Sequence, residues 1–122
     1  MLDMDPGIRA QWTAALRSGE YRQGQAVLRS INDRFCCHGV LCDLAEKAGV
    51  IRAHKTPDDW AYDGEDAYLP EAVMDWAGIT DTSPRVVNVH STMEEDPTLT
   101  TLNDDDEWDF AQIADAIDGG VS

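Results

Sequence analysis

Cys36, Cys37, His38 and Cys42 place three thiols and an imidazole within seven residues. No other stretch of the chain gathers side chains so suited to chemistry, and three uses compete for them. A thiol nucleophile needs its pKa lowered, which a helix N-terminus helps to do, and a nearby base. Cys37 stands where a helical pattern begins, and His90, at the end of "PRVVNVH", is the histidine a fold could bring to it. A metal would find four soft ligands here, with His54 or His90 to complete a set. Structural zinc, however, takes spaced pairs from separate elements, and adjacent residues on a strand point to opposite faces. The spacing demands no metal, and no cofactor is expected. The third use is packing: free cysteine behaves as a small buried hydrophobe, and Cys37 begins a stripe continued by Leu41, Ala45 and Ala48. Packing is the favoured use.

The elements that would position these residues can be read from caps and periodicity. Asp5-Pro6 starts a helix over 6–17, with Ile8, Trp12 and Ala15/Leu16 on one face and Gly19 after its end. Val27-Leu28 and Phe35-Cys36 flank the turn residues Asn32-Asp33, which predicts a hairpin pairing about 25–29 with 33–37. A helix follows over 38–48, closed by Gly49, and then a short strand over 50–54. Residues 56–66, "TPDDWAYDGED", read as an exposed loop. Pro70 and Gly78 bracket a helix over 70–77 with Val73, Trp76 and Ala77 inward; the valines of 84–90 predict a strand; 91–107 read as a long polar loop. Phe110, Ile113, Ala114 and Ile117 predict a last helix over 108–118. The expected fold is α+β: one compact domain over 1–122, with about four short helices on a small, mainly antiparallel sheet that includes a hairpin near 25–37.

Charge narrows the function classes. The net charge is −15. Residues 1–55 carry eight Lys/Arg and six Asp/Glu, whereas residues 56–122 carry Arg85 alone against eighteen acids. Such a surface repels nucleic-acid phosphates and anionic membranes and attracts basic proteins. Direct nucleic-acid binding and membrane association are therefore not expected. The N-terminus lacks a basic segment followed by an apolar run, and the odd cysteine count suits reduced thiols, so a cytoplasmic location is expected. The acids cluster at Asp63, Glu65 and Asp66, at Glu94 and Glu95, and at Asp104, Asp105, Asp106 and Glu107. The last group lacks the glycine and closing glutamate of an EF-hand loop; it reads as a turn plus carboxylates at a helix start. Trp60 and Trp108 lie within the acidic segments, where aromatic anchors suit an interface.

Two resemblances add to this. The stretch "CCHGVLCDLAEKAG" resembles the cysteine-led helix of NlpC/P60-type papain-like amidases over about a dozen residues, with His38 where that family has serine. It implies a thiol hydrolase using Cys37 and His90. Across nearly the whole chain, "WTAALRSGEYRQGQAVLR", "FCCHGVLCDLA", "YLPEAVMDWAG" and "TLNDDDEWDFAQIADAI" resemble, in order, a group of small phage-encoded proteins. That resemblance implies a role inside an infected bacterial cell and supplies no reaction. The group usually has leucine at position 38, which speaks against His38 as a shared catalytic or metal residue. The leading expectation is a non-enzymatic phage accessory factor that binds a basic, nucleic-acid-binding site on a host protein or defence complex and modulates it, with carboxylates standing where DNA phosphates would. The alternative is the amidase.

Overall fold

In the computed structural model, which describes residues 4–80, 98–104 and 108–119, the first helix forms as its end residues dictate. α1 spans Pro6–Arg17. The Asp5 carboxylate accepts the Ile8 amide at 3.0 Å, and Pro6 sits where a missing N–H costs nothing. Ser18 closes the helix by donating its hydroxyl to the Ala15 carbonyl at 2.6 Å. Trp12, Thr13 and Leu16 face inward.

Five short strands follow the expected α+β plan: β1 (Arg22–Gln23), β2 (Arg29–Ser30), β3 (Arg34–Phe35), β4 (Ala53–Lys55) and β5 (Asp59–Tyr62). They form one sheet in the order β1-β3-β2-β5-β4. Every pairing is antiparallel except β1 with β3. The expected hairpin is the β2–β3 pair, shorter than the sequence suggests. Asp33 turns it, with φ 59° and its amide on the Ser30 carbonyl at 3.0 Å.

Two expectations are corrected. Residues 56–66 are not wholly an exposed loop, since β5 runs through them with a paired neighbour on either side. Asp59 and Tyr62 are buried there. Local pairing explains how so polar a segment enters the sheet: the Thr56 hydroxyl donates to the Asp59 carboxylate at 2.8 Å and accepts the Asp59 amide at 2.9 Å. The buried carboxylate is thus satisfied within four residues of chain. Likewise 91–107 is not all loop. α4 spans Leu99–Asp104, started by the Thr98 hydroxyl accepting the Thr101 amide at 3.1 Å, with Leu99 and Leu102 inward. The expected strand over 84–90 lies outside the described residues, as do 91–97 and 105–107 of that loop.

α2 (Cys37–Lys47) is the central helix, packed against α1, α4, β3 and α3 (Glu71–Ala77). Its first seven residues, Cys37 to Asp43, are all buried. It comes so close to the chain entering β2 that a Cβ at Gly39 would overlap the Leu28 carbonyl. α5 (Phe110–Gly119) opens with a reciprocal cap: the Asp109 carboxylate accepts the Gln112 amide at 2.8 Å, and Gln112 Oε1 accepts the Asp109 amide at 3.0 Å. It lies along α1, where Arg17 pairs with Asp115 at 2.9 Å and Asp118 at 2.8 Å. Among the described residues no helix is long and apolar enough to cross a membrane.

Candidate functional site

The cysteine cluster occupies the heart of the molecule. Cys36 ends the approach from β3 and is the residue before α2; Cys37 is the helix's first residue and Cys42 lies in its middle. All three thiols are free and buried. Cys37 is 1% exposed, with Sγ 3.7 Å from the Leu99 carbonyl, and its own carbonyl accepts Trp12 Nε1 at 2.9 Å. Burial pushes the Cys36 thiol up to about 11 and drives those of Cys37 and Cys42 well above the ordinary range. The helix N-terminus does not overcome this desolvation. The neighbouring His38 imidazole is buried as well, which pulls its pKa down to about 4, and Nε2 has no hydrogen-bond partner. Neutral, enclosed thiols are the opposite of what a nucleophile requires. His90 lies outside the described residues, and among the described residues no three His, Cys, Asp or Glu side chains gather as metal ligands.

The acidic residues singled out in the sequence divide three ways. Asp63, Glu65 and Asp66 lie together in the turn after β5, all exposed. Asp63 takes φ 53°, Glu65 bridges back to Tyr62, and the Asp66 carbonyl accepts the Leu28 amide at 2.6 Å. The backbone is therefore anchored while the carboxylates face solvent. Asp104 sits apart at the end of α4, its carboxylate accepting Asn103 Nδ2 at 2.8 Å. Glu94, Glu95, Asp105, Asp106 and Glu107 lie outside the described residues.

The two tryptophans have different surroundings. Trp60 is half-buried in β5 between two cations, with the Arg29 guanidinium 4.1 Å and Lys55 Nζ 5.9 Å from its ring. The register explains the stack, because Lys55, Trp60, Arg29 and Phe35 pair in one row across four strands. Trp108 is half-buried between α4 and β1, its amide on the Leu102 carbonyl at 2.9 Å and its carbonyl accepting Gln23 Nε2 at 2.6 Å.

The row of cations and rings borders a cleft of about 530 Å³. Tyr21 donates its hydroxyl to Asp43, and Lys47 Nζ lies 3.1 Å from both Asp43 Oδ2 and Tyr21 Oη. Arg29 pairs with Asp33 at 2.8 Å. The Tyr62 hydroxyl is buried nearby without a well-formed hydrogen bond. Burial raises its pKa, and the adjacent Arg29 charge offsets part of that rise. Glu20, Asp33 and Asp43 match Arg22, Arg29 and Lys47 in number, so the cleft lining has no charge excess among the described residues.

Sequence reasoning missed one part of the acidic face. Glu71 and Asp75 stand four apart on α3, both exposed, and line one groove with Glu65. Their i, i+4 spacing was the available signal. Among the described residues no cation pairs with Asp63, Glu65, Asp66, Glu71 or Asp75, whereas Asp115 and Asp118 are held by arginines of α1.

A family model described as Domain of unknown function (DUF8296) matches residues 4–120. No curated protein matches the chain, and no solved structure does.

Proposed function

We propose, for a chain that belongs to the DUF8296 family over nearly its whole length, that it acts as a non-enzymatic acidic interaction protein. The face formed by the turn after β5 and by α3 would receive a basic surface of another protein. The observation that carries this is the unequal neutralisation of the acids. Those of α5 are paired within the molecule, while five carboxylates between Asp63 and Asp75 have no partner among the described residues. Unpaired like charges on one face repel one another and are relieved by an incoming cationic surface.

The partner class follows from the charge. Proteins that bind nucleic acid carry clustered Lys and Arg, and an acidic face in a chain of net charge −15 competes for such a site. The resemblance to small phage-encoded proteins supports an accessory factor that works in the cytoplasm of an infected bacterium and inhibits or redirects a host protein or defence complex. No direct contact with nucleic acid or membrane is required.

The test is capture from a bacterial lysate at low salt, followed by elution with rising salt. Partners held through the acidic face should elute as the Debye length shrinks from about 30 Å at 0.01 M towards about 3 Å at 1 M. A partner whose affinity is the same at both ends of that range would overturn the proposal.

A further inference from the structure

The acidic face is not a flat charged patch. Leu69, Met74 and Ile79 form the apolar lining of a groove of about 540 Å³, and Glu65, Glu71 and Asp75 line it as well. Of these, Leu69 and Ile79 are buried and Met74 is half-buried. Among the described residues no Lys or Arg lines it. Tyr68, next to Leu69, is 61% exposed.

We infer that this groove takes one apolar side chain of a partner segment that also carries two Lys or Arg side chains one helical turn apart beside it. The inference rests on the interaction reading above and specifies what the basic partner must present. Three features select that occupant. The volume is within the range that holds a compact ligand group, roughly 300–1,000 Å³, which is too small for a whole helix but ample for a leucine, methionine or phenylalanine side chain. Glu71 and Asp75 are four residues apart along α3, hence about 6 Å apart along its axis, with Met74 just before Asp75. Cations spaced by one turn on a partner helix match that separation. Finally, an apolar lining set among carboxylates suits a desolvated contact ringed by polar pairs, which charge alone does not require.

A second copy of the chain is a poorer occupant. Most of its own described cations are engaged: Arg9 and Arg17 with acids of α5, Arg29 with Asp33 and two rings, Lys47 with Asp43 and Tyr21, and Lys55 with Trp60.

The experiment uses the full chain and two synthetic helical peptides of alanine and lysine. One carries two lysines four residues apart with a leucine directly before the second; the other has serine in place of that leucine. Fluorescence anisotropy at low salt should show the leucine peptide binding at least about tenfold more tightly, the effect of burying one large apolar side chain. Glu71→Gln with Asp75→Asn should weaken both peptides, and the control Asp58→Asn neither; circular dichroism verifies that each variant folds. Equal binding of the two peptides overturns the groove and leaves the acidic interaction intact. Failure of both peptides, together with no salt-sensitive capture from lysate, overturns the interaction reading as well. Concentration-dependent self-association that Glu71→Gln with Asp75→Asn abolishes would assign the groove to a second copy and overturn the inference.

Discussion

His38 sits in the first turn of α2 with its imidazole buried and Nε2 unpartnered. Burial lowers its pKa to about 4, below the value of about 6.5 expected in an unfolded chain. Protonation therefore favours the unfolded state, and the stability at stake is intact above about pH 6.5 and lost as pH falls towards 4. The full difference is on the order of 3 kcal/mol. His38→Leu removes this sensitivity and fills the same space, so its melting temperature should fall less between pH 7 and pH 4.5 than that of the wild type. Equal falls would mean the imidazole is already protonated or solvated in the fold. The cysteines give a second residue-scale expectation. Buried thiols with raised pKa values react slowly. Iodoacetamide at neutral pH should label all three slowly and then quickly on denaturation. Rapid labelling of one thiol in the folded protein would restore the nucleophile alternative.

The elements show how much of the fold could be read in advance. α1, α2, α3 and α5 were legible because each carries a cap or a glycine stop together with an apolar stripe: Asp5 and Pro6, Gly49, Pro70 and Gly78, and Phe110 to Ile117. β1 was not, because two residues carry no period and its pairing with β3 is set by tertiary contact. β5 was hidden by Asp59 and by the aspartates on either side of the strand. Trp60 and Tyr62 alternate properly for a strand, but the hydrogen bonds that make Asp59 acceptable indoors come from Thr56 and are visible only in three dimensions. The acidic patch at Asp63 to Asp66 was legible from charge; that Trp60 belongs with Arg29 and Lys55 was not, since it depends on register across the sheet. Two substitutions test the element contacts. Gly39→Ala forces α2 away from the Leu28 carbonyl and should cost on the order of 2 kcal/mol or more in denaturant melts. Asp109→Ala removes the cap of α5 and should cost about 1 kcal/mol. A neutral Gly39→Ala would show that the close approach of α2 to β2 is absent.

For the whole molecule, charge acts in two directions at once. A net charge of −15 repels itself within the fold, so added salt should raise the melting temperature of the isolated protein. The same salt should weaken binding of a basic partner. This opposition separates an effect on binding from unfolding, since a protein that melts higher while binding less has lost attraction and kept its structure. The cations of the amino-terminal half take part in the division: Arg9 and Arg17 neutralise α5, and among the described residues none pairs with the acids from Asp63 to Asp75.

The most direct test of that division is the salt dependence of affinity for the captured partner, measured side by side for the wild type and for Glu65→Gln combined with Glu71→Gln and Asp75→Asn. The acidic-face account predicts a steep loss of wild-type affinity with salt and a shallower loss, from a weaker starting point, in the variant. Identical slopes and affinities for the two proteins would contradict it.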